Sequence, residues 1–238
     1  MVPECHLTKW MPFADTKVMH WAGLALLVCA AVVGLRWMLT RVDTLGRTRS
    51  FPVFSVALLL LAGSVALVPW VIRARLEDRL AEAASQIAGM NVDVHCQSFG
   101  QAFTDVGAEL GYVKWGPDGV PERRTLIKRD QCGDLSDYLK SNKDSPSRDQ
   151  IVAVHILSHE TVHMMGETNE AVTECLAMQR NAEMSRALGA TSEQARALAV
   201  AYWRDVYPSM PDNYRSNECG PGLTLDAGFA DPPWTDTQ

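Results

Sequence analysis

The sequence predicts an α+β protein: a two-helix transmembrane hairpin followed by a mainly helical domain with a small β-sheet. Three observations carry this. Residues 19–35 and 52–72 contain no Asp, Glu, Lys or Arg and are dominated by Leu, Val and Ala. Beyond them, apolar residues recur at helical spacing in stretches that begin at Arg73, Ile151, Glu170 and Thr191. Between the first two of these, residues 109–115 and 121–129 flank Gly116-Pro117-Asp118-Gly119, a strong turn signal, and read as a β-hairpin.

The hairpin comes first. A bilayer crossing takes about 20 residues, which the second apolar run supplies. The first run reaches that length through Trp37, Met38 and Leu39 if Arg36 snorkels to the interface, giving spans of about 19–39 and 52–72. Trp21, Trp37 and Trp70 sit near the ends, where indole rings favour the headgroup level. The connecting loop carries Arg41, Arg47 and Arg49, with Arg36 at its edge and only Asp43 opposing, so the positive-inside bias places it in the cytoplasm. Arg73, Arg75 and Arg79 after the second span, and Lys9 and Lys17 before the first, pull the other way. Cysteine usage decides between them. Cys96, Cys132, Cys175 and Cys219 all follow the second span and suit an oxidising exterior. The expectation is a multi-pass cell-membrane protein with its C-terminal domain extracytoplasmic. Four cysteines allow three pairings; the preferred one is Cys96–Cys132 with Cys175–Cys219, each stapling a loop-rich stretch to a neighbouring element. No C-x-x-C spacing points to a cysteine zinc site, and a net charge of −6 gives no reason to expect nucleic acid as a partner.

Residues 73–90 follow as an amphipathic juxtamembrane helix with Leu76, Leu80 and Ala84 on one side, too short for a dimerising coiled coil. Residues 91–96 alternate as a strand, and residues 133–141 form a short helix. Residues 142–147 are a polar loop, and residues 191–207 a last amphipathic helix. The globular domain is expected over 91–230, with a loose tail at 231–238.

The chemistry lies in residues 151–179. His159-Glu160-Thr161-Val162-His163 places two imidazoles on one helix face about 6 Å apart along the axis, within reach of one tetrahedral metal. Val152, Val154, Ile156, Leu157, Val162, Met164 and Met165 surround the helix with apolar groups, so it is buried, and buried histidines and a glutamate need partners. Zinc satisfies all three, with Glu160 beside the metal to take a proton from water. His155 shares the face but lies about 12 Å from His163 along the axis, too far for the same ion, and is expected to hydrogen-bond instead. Asn169, Glu170 and Glu174 compete as third ligand. Glu170 is favoured, because a chain reversing at Gly166 returns it toward His163 with least travel; Glu174, one turn on, would then orient a ligand. Tyr202, Tyr207 and Tyr214 are each able to supply a transition-state hydrogen bond, and spacing selects none.

These residues resemble the zincin metallopeptidases of gluzincin type, in which two histidines of H-E-x-x-H and a glutamate from a following helix hold zinc. They are also similar to small bacterial membrane-anchored zincin-like proteins, in which H-E-x-x-H, a glycine and an E-A-x-x-x-C segment follow closely; here these are His159–His163, Gly166 and Glu170 to Cys175. The resemblance covers about 30 residues, and the gap between His163 and the glutamates is shorter than in larger gluzincins. It implies a zincin-like domain, zinc on His159, His163 and Glu170, Glu160 as general base, a protein or peptide substrate, and a strand edge that holds the substrate extended. The alternative is a non-catalytic extracytoplasmic binding module, zinc-stapled or metal-free.

Overall fold

The computed structural model describes residues 14–42, 46–48, 50–98, 101 and 109–234. The chain divides into two compact units, Met1–Ala74 and Arg75–Gln238. In the first, helix α1 (Ala14–Thr40) lies against the first part of α2 (Val53–Ala88). Glycines permit the approach: a Cβ on Gly23 would sit 2.7 Å from Leu67 Cγ, and one on Gly63 2.7 Å from Leu27 Cδ2. Small residues at such crossings let apolar helices gain van der Waals contact. Both helices are long and apolar enough to cross a membrane; the expected span 19–39 falls inside α1, and 52–72 inside α2 except for Pro52. Lys9, Asp43 and Arg49, used above to weigh the orientation, lie outside the described residues.

The amphipathic stretch expected as a separate helix over 73–90 continues α2 without a break for 36 residues. Gly89, at φ +67°, ends it. Leu80, Ala84 and Ile87 then become part of the second unit's core, beside Val94, Ile127, Leu135, Val154 and Leu157.

The second unit is mostly helical with one small sheet. Strands β1 (Asp93–Cys96), β2 (Gly111–Trp115) and β3 (Pro121–Ile127) are ordered β1-β3-β2. The β2–β3 hairpin is the antiparallel pair the sequence indicates, closed at Gly116–Val120 by a turn with Gly119 at φ +74°. The parallel pairing of β1 with β3 is a long-range contact with no local signal. It leaves β2 at the edge. Helix α3 (Arg129–Lys140) starts at Arg129 rather than at 133, and its Cys132 is bonded to Cys96 in β1.

Helix α4 (Arg148–Met164) opens with a capping box in which the Ser147 hydroxyl accepts from Gln150 N–H and the Gln150 side chain reaches back to Ser147 N–H. Ala153 to Met164 are buried on every side of the helix, under α3, α5 and the β2–β3 hairpin. Gly166, at φ +111°, turns the chain. Helix α5 (Glu170–Ala187) begins at once, capped by the Asn169 side chain accepting from Val172 N–H. Helix α6 (Ser192–Asp205) has a second capping box between Thr191 and Gln194. From Val206 the chain runs back across α5 and α6 in two short 3₁₀ turns, tied by Cys175–Cys219 and by Gln179, which donates to Leu225 O (2.8 Å) and accepts from Ala227 N–H (2.9 Å). The disulfide pairing is thus the preferred one of the three. The tail expected to be loose is held at its start: Asp231 pairs with Arg186 and Arg196, and Trp234 is buried against Trp203. Residues 235–238 lie outside the described residues.

Candidate metal centre

The reversal at Gly166 builds the site. Glu167 Oε1 accepts from the N–H groups of Thr168 and Asn169 (2.9 and 2.8 Å), which tightens the turn and brings the first residue of α5 under the last turn of α4. His159 Nε2, His163 Nε2 and Glu170 Oε2 then form a triangle with edges of 3.0, 3.2 and 3.4 Å.

The outer ring nitrogens fix what this triangle presents. His163 Nδ1–H donates to the Glu167 carbonyl (2.7 Å), and His159 Nδ1–H donates to Glu174 Oε2 (3.1 Å). A neutral imidazole that donates from Nδ1 carries a lone pair on Nε2. Two imidazole lone pairs and a carboxylate oxygen therefore converge on one point, an arrangement stable only around a cation. Bonds of about 2.0–2.1 Å at tetrahedral angles give ligand–ligand edges of about 3.3 Å, so the triangle has the size of three corners of a tetrahedral zinc site. The donor set fits the metal, as does the anchoring of each histidine by an acceptor on its far nitrogen. These buried His and Glu groups could hold a metal ion.

Without metal, protons play the cation's part. Burial works against charge on His159, yet hydrogen bonds to Glu170 and Glu174 and the charge on Glu160 outweigh it and lift the imidazole to about 9. Bonds from His159 and His163 draw Glu170 down to about 2. Burial alone would raise Glu174, but the charge and hydrogen bonds of His155 and His159 hold it well below the carboxylate range.

Glu174 is 1% exposed and takes three donors: His155 Nε2–H (2.9 Å), His159 Nδ1–H and Tyr202 O–H (2.6 Å). It binds the far nitrogen of His159 and so orients that ring instead of joining the triangle. His155, stacked on Tyr202 with ring centroids 3.7 Å apart, bonds Glu174 and lies 3.2 Å from Asn181. Its hydrogen-bonding role matches the expectation. Asn169 is occupied as a helix cap.

Glu160 lies beside the triangle, buried and poorly partnered. The Thr125 hydroxyl is 3.5 Å from its carboxylate but 3.1 Å from the Tyr112 carbonyl, the better acceptor for its single proton. Burial pushes Glu160 up, the two histidines pull it down, and it settles at about 7. Gly111 on β2 closes over it: an added Cβ would be 2.9 Å from Glu160 Oε1.

Three contributors carry no motif in the sequence. Thr125 and Gly111 reach Glu160 only through strand pairing, and the sole local hint was a glycine inside a strand. The third is Tyr214. Of the three downstream tyrosines, Tyr202 serves Glu174 and Tyr207 is bonded to Ser216. Tyr214 lines the cavity with its ring 5.9 Å from that of His159, and its hydroxyl has no partner among the described residues. Burial and the charges of Glu170 and Glu160 raise its pKa, so it remains a donor at neutral pH. The triangle, Glu160 and Tyr214 all open on one cavity of about 370 Å³, bordered by the edge strand β2.

What these features define is a mainly helical, disulfide-bonded unit with a His₂Glu cluster on an open cavity, in a chain bearing two apolar helices of membrane-crossing length. No known family pattern matches the chain, and neither does any curated protein or solved structure.

Proposed function

We propose that the protein is a membrane-anchored, zinc-dependent metallopeptidase of gluzincin type, with His159, His163 and Glu170 holding zinc and Glu160 as general base. The observation that carries this reading is the convergence of two imidazole nitrogens and a carboxylate oxygen on a cavity, beside the buried carboxylate of Glu160. A structural zinc is enclosed by four protein ligands, whereas a catalytic one keeps a position open. The three residues that would hold the ion all line the cavity, which favours the enzyme over the zinc-stapled binding module.

Zinc held by His159, His163 and Glu170 would lower the pKa of water toward 7 and polarise a carbonyl. Glu160 would accept the water's proton and deliver it to the departing amine, the role a buried carboxylate beside the ligands is placed to take. Tyr214 donates a hydrogen bond to the oxygen that gains charge. Glu174 and the Glu167 carbonyl keep both histidines in the tautomer with Nε2 free. Edge strand β2 offers backbone groups to an extended peptide above the site. The arginine-bearing loop and the two disulfides support a cytoplasmic loop and an extracytoplasmic second unit.

The test is metal content and hydrolysis of a broad peptide library by detergent-solubilised full-length protein and its Glu160→Gln variant. Zinc should be retained, and the rate should fall about 10²–10⁴-fold. Equal rates would sink the mechanism.

A further inference from the structure

The segment joining the two apolar helices is short and pinned. Val42 and Thr48 form an antiparallel bridge, and Gly46, at φ +74°, lies in the turn between them. The Trp37 indole N–H donates to the Ser50 carbonyl (3.0 Å), and its ring meets Phe51 edge-to-face at 4.8 Å. The far end of the segment is thereby tied back to the last turn of α1. It also concentrates positive charge: residues 36–49 hold four arginines and one aspartate, in a chain whose net charge is −6. Arg41 and Arg47 each adjoin a bridge residue, and bridge partners sit about 5 Å apart, so the two stems leave the chain close together. Arg36, Arg41 and Arg47 are exposed, and Arg36 and Arg41 have no acidic partner among the described residues.

Depth selects the anion. Arg36 stands within α1 among Leu35, Met38 and Leu39, apolar side chains that are 54, 59 and 78% exposed. On a helix that crosses a bilayer such a surface is covered by lipid, and an arginine there extends its guanidinium to the interface. The Trp37–Phe51 pair marks the same level, where aromatic rings favour the headgroups. The anion present at that depth is the phosphate of a lipid headgroup, which a guanidinium takes through two parallel N–H···O bonds. In a zwitterionic lipid a tethered ammonium offsets that phosphate; in an anionic lipid nothing does.

We propose that the turn between α1 and α2 is a binding site for anionic phospholipid. Arg36, Arg41 and Arg47 hold the headgroup phosphate, and Trp37 and Phe51 pack beside the glycerol and the upper acyl carbons. The inference rests on α1 and α2 crossing a bilayer and is independent of the metal centre.

Native mass spectrometry of the full-length protein in detergent reads this directly, with equimolar phosphatidylglycerol and phosphatidylcholine of the same acyl chains. A basic residue close to an anionic lipid surface strengthens association roughly fivefold. The protein should therefore retain phosphatidylglycerol over phosphatidylcholine by roughly 10–100-fold. Replacing all three arginines with glutamine should cut that ratio at least about 10-fold, and Arg36→Gln alone, which leaves the bridged turn intact, about fivefold. Arg73→Gln combined with Arg75→Gln, beyond the second span, should change it far less. Millimolar inorganic phosphate should not displace the lipid, whose acyl chains add contacts that a free ion lacks. Equal retention of the two lipids, or a ratio unmoved by the triple and single variants, overturns the proposal. So does a larger loss on replacing Arg73 and Arg75, which would put the site elsewhere, or displacement by inorganic phosphate, which would make it a free-anion site.

Discussion

Replacing Gly111 with alanine should cripple hydrolysis while leaving the metal in place. A methyl group there would lie 2.9 Å from Glu160 Oε1, 3.0 Å from Cγ and 3.1 Å from Cδ, where ordinary contact begins at 3.4 Å. Either the carboxylate or strand β2 must therefore move by several tenths of an ångström. β2 is held to β3 at Gly111, Tyr112 and Val113, whereas Glu160 borders the cavity, so the carboxylate is the group that gives way. Overpacking of this kind costs about 1–3 kcal/mol of stability. Its effect on the reaction should be larger, because misplacing a reacting group by 1 Å can cost about 10²-fold. The expected result is a fall in kcat/KM of roughly 10–100-fold, a modest drop in thermal midpoint and unchanged zinc stoichiometry, since the added methyl's nearest neighbours are all Glu160 atoms. Peptide hydrolysis beside metal analysis and a thermal melt supplies the three readouts. Wild-type kcat/KM in Gly111→Ala would refute the placement of the general base against the strand.

Other perturbations separate the remaining roles. Glu170→Gln should weaken zinc binding strongly by removing a charged ligand, whereas Glu174→Gln should weaken it about 10–100-fold by loosening the His159 ring; the reverse order in a competition titration would exchange the two assignments. In the metal-free protein His159 is raised from 6.5 to about 9 and Glu170 lowered from 4.5 to about 2. The histidine's stabilisation is complete below 6.5 and lost as pH rises through about 9, while the glutamate's is complete above 4.5 and lost as pH falls through about 2. Glu160, raised from 4.5 to about 7, loses its contribution from pH 4.5 upward, so chelator-treated protein should melt highest near pH 4.5, and a midpoint climbing from pH 6.5 to 9 would contradict this. For topology, cysteine labelling of intact cells should modify a probe placed at Ser141 and spare one at Thr44; the opposite pattern would invert the orientation.

What was legible in the sequence was local. His159 and His163 sit four apart in a helix whose apolar residues run all round, so their shared face and their burial both followed from periodicity. Glu170 was within reach because Gly166 forces a reversal, and such a turn leaves few places for the next helix to start. The hairpin was legible from its turn. The pairing of β1 with β3 was not, since a four-residue strand has no pattern that names its partner. Gly111 and Thr125 were invisible as site residues for the same reason, and Tyr214 was one of three tyrosines among which spacing selected none. Each arrives through a contact between segments far apart in sequence. The boundary missed at Arg73 has a different origin: the change from apolar to amphipathic composition marks a change of surroundings, not a break in the helix.

The separation between these two groups of residues follows the construction of the site. The candidate metal ligands come from one helix–turn–helix, α4 to α5, and the turn brings them together. The wall carrying Met210, Pro211 and Tyr214 belongs to the returning segment, which is fixed by Cys175–Cys219 and by Gln179 at Leu225 and Ala227. Cys175 directly follows Glu174, so the tether acts on the same helix that orients His159. The wall is thereby held in register with the metal triangle without contributing a ligand to it. Substitutions in the returning segment would then change the cavity wall without touching His159, His163 or Glu170. That division leaves the candidate ligands legible in the short stretch from His159 to Cys175, while the rest of the cavity wall comes together only in the fold.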